Sequence, residues 1–402
     1  MSRHLQRFLL LVVLAAAAVR SARADAWNVV RYENRDYLTM RNVAEFYRLQ
    51  YQQPDGTKAI MLSSPGCTIR GDIGSKELII NGVKFIMSSD LVASGDNVLL
   101  SRLDLTKLVE PVLRPNRIRG AAPIRTVIID AGHGGYDRGA TSVYGAEKDF
   151  ALDVSLRLRE LLVRRGFRVE MTRKDDTFIP LQDRAAFANQ FRDGIFVCIH
   201  FNAGSDVATG IETYTLAPRF VPSTGDDSPT ASCLVPCAGN VEDPNNMALA
   251  TAMHASLLNR LPMFDRGIKR ARFCVLRLCT IPGVLIEGGF VSNPSEAARI
   301  AQPAYRQAEA EAIALAIQNY QSATSVNGPP PMLVNGNTQG DHPSLSITPG
   351  QVQTQGGITS IGANVPLDPV VNRLRQMQQQ QTKSASPTPS AANGPTVTVP
   401  HN

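Results

Sequence analysis

The chain has 402 residues, 43% hydrophobic and 19% charged, enough for two domains of ordinary size with buried cores. Mean hydropathy is −0.10 and one apolar run stands out, at the N-terminus, which excludes a multi-span membrane protein. The net charge of +6 owes much to Arg3, Arg7, Arg20 and Arg23, all ahead of the first acid, Asp25; without them it falls to about +2, and no basic, aromatic-laced stretch remains to bind nucleic acid.

Residues 1–24 read as a secretory signal peptide. Arg3 and Arg7 form a positive n-region, residues 8–19 (FLLLVVLAAAAV) an apolar core short for a span, and Ala22-Arg23-Ala24 a small-x-small cleavage pattern. A cut after Ala26 and an uncleaved anchor are the alternatives. The absence of a Cys after the apolar run argues against a lipoprotein. The mature protein then works in the cell envelope, periplasmic or secreted, without a membrane span. Disulfides form there, so Cys67, Cys198, Cys233, Cys237, Cys274 and Cys279 admit several pairings, with Cys233–Cys237 one candidate and a structural zinc on the two close pairs another. Cys198 lies in an apolar run and reads as a buried thiol.

Residues 27–113 read as a small α+β module. Residues 40–51 carry Val43, Phe46 and Tyr47 at helical spacing, residues 78–85 (LIINGVKF) form a hairpin on an Asn-Gly turn, and residues 104–109 begin a second helix. The module loosely resembles the copper amine oxidase N-terminal-like modules of secreted bacterial wall proteins; it contains no His, and the resemblance implies no copper. Residues 111–120 (PVLRPNRIRG) read as a linker, with the boundary set at 114–123.

From residue 124 the texture becomes alternating strands and helices. Apolar runs at 127–130, 167–172, 195–200, 210–216, 273–278 and 284–287 read as strands, and 148–165, 181–192, 246–261 and 304–320 as helices. The alternation predicts an α/β fold, a three-layer sandwich around a mostly parallel sheet, over 124–320. Residues 321–402 lack Phe, Trp and Tyr and are rich in Pro, Gly, Ser and Gln, so they read as a disordered tail.

Three of the six histidines fall in the folded part: His133, His200 and His254. His133 follows an apolar strand in Asp130-Ala131-Gly132-His133-Gly134-Gly135, and His200 closes another before Phe201-Asn202-Ala203. Open α/β sheets bind ligands beyond the carboxyl ends of their strands, so two imidazoles arriving there converge on one point. His254, mid-helix, reads as a packing or surface residue. Two acids can complete the site. Glu147 sits where a loop becomes a helix, where an acid also serves the helix dipole. Glu287 ends an apolar strand, where a carboxylate is expensive unless it lies in a cleft or pairs with an arginine such as Arg272 or Arg277. Two imidazoles and a carboxylate are a ligand set for catalytic zinc, and a further carboxylate can serve as general base. Spacing alone does not assign these roles.

The motifs as a set do more. Asp130-Ala131-Gly132-His133-Gly134-Gly135, Gly145-Ala146-Glu147-Lys148, Thr172-Arg173, Arg184 with Ala188-Asn189, Ile199-His200-Phe201-Asn202-Ala203, Gly210-Ile211-Glu212-Thr213-Tyr214, Arg266-Gly267-Ile268-Lys269 and Glu287-Gly288-Gly289-Phe290-Val291-Ser292-Asn293 occur in this order. Over residues 124–320 the chain resembles the zinc-dependent N-acetylmuramoyl-L-alanine amidases that split septal peptidoglycan. The resemblance implies one Zn²⁺, with ligands falling on His133, Glu147 and His200 and the catalytic Glu on Glu287. Asp130, as a support for His133, and Asn202, orienting water or substrate, are the further candidates; Asp130 is equally suited to capping the loop that follows. The reaction expected is hydrolysis of the amide between N-acetylmuramic acid and L-alanine. The alternatives are a zinc peptidase cutting within the stem peptide and a non-catalytic wall-binding protein. Some relatives carry an autoinhibitory helix that a protein activator displaces in the region of residues 217–246; the Pro and Gly content here argues for a surface loop.

Overall fold

The computed structural model describes residues 27–119, 123–226 and 231–325. The signal-peptide segment and nearly all of the tail lie outside them. The last helix, Pro303–Thr324, runs four residues past the boundary expected at 320.

The strand Thr126–Ala131 lies parallel between Arg168–Met171 and Gly194–Asn202, and the latter lies parallel to Gly283–Phe290. Ile211–Leu216 then joins antiparallel to Gly283–Phe290 and parallel to Asp265–Ala271. Every residue of Thr126–Ala131 and of Gly283–Phe290 is buried, which is why these segments read as continuous apolar runs rather than alternating ones.

Period-two alternation builds the layers. Val127, Ile129, Val197, Ile199, Val284 and Ile286 share one core with the long helices Glu147–Arg164, Asp243–Arg260 and Pro303–Thr324. Ile128, Phe196, Cys198 and Leu285 face the other way, into a core shared with Ala188 of the short helix Leu181–Ala188 and Leu276 of Cys274–Leu278. The fold is therefore a three-layer α/β sandwich on a mostly parallel sheet.

The hairpin Glu77–Ile80 and Val83–Ile86 forms as expected, with Asn81 and Gly82 at φ 51° and 83°. Its second strand pairs parallel with Asp265–Ala271 at Phe85 and Ile268, so one eleven-stranded sheet runs from the first module into the second. Buried Arg270 fastens the junction, donating to Asp104 at 3.2 Å and to the Ile86 carbonyl at 2.7 Å.

Several expectations change. The run 273–278 is a helix, Cys274–Leu278, because six apolar-rich residues fit one buried helical turn as well as a strand. Asp265–Ala271, not expected as a strand, carries four charged residues, and each is partnered: Asp265 with His254, Arg266 and Lys269 with Glu212, Arg270 with Asp104. The helix Met40–Tyr47 stops at left-handed Arg48, short of residue 51. The stretch read as a linker is helical over Glu110–Leu113 and Pro115–Arg117. Cys237 is a free thiol accepting from Arg272 at 3.1 Å, not the partner of Cys233.

Candidate metal centre

Where the strand Thr126–Ala131 ends, the chain turns through His133, a non-glycine residue at φ 60°. Two buried arginines hold this turn. Arg173 donates to the carbonyls of Ala131 (2.9 Å) and Gly132 (2.6 Å), and Arg184 to those of Ala131 and His133 (both 2.7 Å). A left-handed backbone at a β-carbon-bearing residue persists only where its surroundings over-determine it, and these bonds do so.

His200 leaves the neighbouring strand at the same rim, and Glu147 opens the helix Glu147–Arg164 above it. Glu147 Oε1 lies 3.0 Å from His133 Nε2 and 2.9 Å from His200 Nδ1. The two imidazole rings are 4.8 Å apart at 78°. One donor atom from each of the three residues lies within 4.8 Å of the others. Glu147 is itself fixed: its Oε2 accepts from the Ala140 amide at 2.8 Å and its Oε1 from the Phe201 amide at 3.1 Å.

Glycines make the room. A Cβ on Gly132 would come 2.4 Å from the His200 ring, and one on Gly139 would come 2.4 Å from Glu147 Oε2 and 2.6 Å from the His133 ring. Burial works against a charged His133, yet Glu147 and Asp137 outweigh it and push the imidazole up to about 9. Burial likewise opposes an ionised Glu147, but the two imidazoles hold its carboxyl far below the usual range. Two imidazoles and a carboxylate in a glycine-lined cradle are a donor set that fits a divalent metal ion such as zinc.

Glu287 is not part of this triad of donors. It is the register partner of His200 on the adjacent parallel strand and of Glu212 on the antiparallel one. Alternation puts it on the same sheet face as Cys198 and His200, one strand spacing of about 4.8 Å away. It is 3% exposed, as a carboxylate at the floor of a cleft would be.

The other candidates fall differently. Asp130 does not reach the His133 ring. It pairs with Arg184 at 2.9 Å and accepts from Thr172 at 2.6 Å and from the Cys198 thiol at 3.0 Å. The residue on His133 Nδ1 is Asp137, at 2.9 Å, four positions along the loop. The His-x-x-x-Asp spacing was a visible signal for it. Asn202 is buried and donates to Glu212 at 3.0 Å, so its side chain serves that carboxylate rather than open space. Glu212 also accepts from Tyr214 at 2.6 Å, from Lys269 at 2.6 Å and from Arg266. His254 is fully buried between Thr213 and Asp265, each at 2.8 Å, in a packing role.

Residues 127–319 match the family model of the N-acetylmuramoyl-L-alanine amidases. The uncharacterized protein YqiI of Bacillus subtilis is 34% identical over 204 residues, which is 50% of this chain and 88% of YqiI. The N-acetylmuramoyl-L-alanine amidase AmiC of Escherichia coli is 31% identical over 243 residues, 54% of this chain and 58% of AmiC, so the chain spans little more than half of that relative. Among solved structures, the catalytic domain of CwlV, an N-acetylmuramoyl-L-alanine amidase of Bacillus (Paenibacillus) polymyxa, is 31% identical, with a TM-score of 0.41, over 49% of this chain and 98% of that one. By the family-model match, together with the 34% identity across 88% of YqiI, the chain belongs to the N-acetylmuramoyl-L-alanine amidase family.

Proposed function

We propose that the chain is a zinc hydrolase of the cell envelope, periplasmic or secreted, that cleaves the amide between N-acetylmuramic acid and L-alanine in peptidoglycan. The observation that carries the reading is the convergence of His133, Glu147 and His200, with Glu287 in register beside His200. His133, Glu147 and His200 would hold the zinc, which would supply a Lewis acid for the lactyl carbonyl and the attacking water. Glu287 acts as general base, taking the proton of the attacking water as the new C–O bond forms. The same carboxyl then returns the proton to the alanine nitrogen as the C–N bond breaks. Asp137 sets the tautomer and aim of His133 through Nδ1. Arg184, held by Asp130, fixes the backbone from which His133 projects.

The segment after Ile211–Leu216 supports an uncovered site. That strand is antiparallel to Gly283–Phe290, so its end at Leu216 lies at the rim opposite Glu287. Its described residues include a short helix, Ala231–Leu234, and a 3-10 turn, Ala238–Glu242, while the Thr224 hydroxyl accepts from the Arg270 amide and the Pro218 carbonyl from the Arg272 side chain. On this reading the purified chain needs no protein activator to uncover its metal centre. The test is mass analysis of purified peptidoglycan after digestion, with and without a chelator. Intact glycan freed of complete stem peptides, only without chelator, is expected. Cuts inside the stem peptide would make it a peptidase, and binding without any cut a wall-binding protein.

A further inference from the structure

We propose that Tyr136 is a platform that seats a sugar ring of the glycan strand beside the metal centre. This rests on the amidase reading and specifies which part of the substrate this loop receives. Tyr136 lies three residues past His133 and is 81% exposed. One face of its ring rests on Phe178, with centroids 4.4 Å apart and planes at 34°. The exposure leaves the other face to solvent.

The backbone behind it is built at some expense. His133, Gly134 and Gly135 stand in succession at φ 60°, 125° and 58°. A Cβ on Gly134 would come 2.2 Å from the Thr177 carbonyl, and one on Gly135 would come 3.0 Å from the Phe178 amide, so the loop lies flush on the 177–178 segment. The Gly135 amide donates to Asp176 at 2.8 Å, and its carbonyl accepts from Lys148, the residue after Glu147, at 2.9 Å. Lys148 and Asp176 pair with each other at 2.5 Å. Of the three only His133 carries a β-carbon in this region, and such strain gathers at ligand clamps. Here it holds an aromatic ring out into water rather than into a core.

An open aromatic face beside a neutralised ion pair offers no charge to an acidic stem peptide. Its negative π-face suits the polarised C–H face of an uncharged N-acetylated pyranose. Such a ring is also the kind of rigid aromatic anchor that carries binding energy at interfaces.

The experiment measures binding of peptide-free glycan strands and hydrolysis of purified peptidoglycan by the zinc-loaded full chain. Tyr136→Ala is expected to weaken glycan binding roughly tenfold and to raise KM more than it lowers kcat, at unchanged zinc content, while Tyr136→Phe retains both properties. Glycan binding by Tyr136→Ala equal to the wild type overturns the platform. So does an equal loss in Tyr136→Phe, which would assign the effect to the hydroxyl. Binding is read without turnover: a chain that cleaves nothing but loses glycan binding on Tyr136→Ala keeps the platform and sinks the amidase reading.

Discussion

Arg184 donates to the Asp130 carboxylate at 2.9 Å, with side chains 2% and 1% exposed, and the same guanidinium reaches the His133 carbonyl at 2.7 Å. An ion pair this deep is costly to break, because removing one partner strands the other charge. Arg184→Met is expected to lose about 3–5 kcal/mol in urea denaturation. Arg184→Lys should recover little, since an ammonium lacks the fork that reaches four oxygens, on Asp130, Ala131, His133 and Ile179. A Met variant as stable as the wild type would contradict the bracing role.

Asp137 should matter to the metal more than to the fold. It lies 2.9 Å from His133 Nδ1 and is partly exposed. Asp137→Ala is expected to weaken zinc binding about 10- to 100-fold in a competitive chelator titration, with a small change in melting temperature. Unaltered affinity would remove Asp137 from the account.

Gly132→Ala separates the cradle from the backbone. The new Cβ would lie 2.4–2.6 Å from three atoms of the His200 ring, while Gly132 is not among the glycines at positive φ. The imidazole has to swing away. Circular dichroism should stay native while zinc stoichiometry at micromolar metal falls; full zinc loading would contradict the cradle.

Glu309 is a fully buried carboxyl, pressed against Gly288, whose two oxygens have no hydrogen-bond partner among the described residues. Burial pushes it well above the usual carboxylate range, against the attraction of Arg306. A raised folded-state pKa means the folded chain keeps a proton that the unfolded chain releases above about pH 4.3. Stability from this group is therefore complete below that pH and declines as pH rises toward the folded value. Glu309→Leu is expected to stabilise by about 1–3 kcal/mol at pH 8 and by less at pH 4, read from denaturation midpoints. A gain independent of pH would show that Glu309 does not titrate in this way.

The sheet core was legible because strands buried on both faces appear as apolar runs bounded by Gly and Asp, and the residues that gather at the rim stand at the ends of those runs. The strand Asp265–Ala271 was not legible as a strand. Its burial rests on charge partners supplied from elsewhere in the fold, Glu212 and Asp104 among them, and no local pattern announces such partners. For the same reason the partner of Asp130 was not legible. That acid's nearness in sequence to His133 pointed to the imidazole, whereas strand alternation delivers it to Arg184, more than fifty residues on. The sheet's continuation into the first module rests on one parallel register pair, Phe85 with Ile268, and on Arg270 reaching Asp104 and the Ile86 carbonyl, none of which hydrophobic periodicity encodes.

In the proposed reaction Glu287 moves the proton while His133, Glu147 and His200 hold the zinc. Turnover of purified peptidoglycan by Glu287→Gln, at measured zinc content, tests it most directly. Full zinc occupancy is expected, with activity lowered roughly 100- to 10,000-fold. Activity near that of the wild type, with zinc bound, would contradict it.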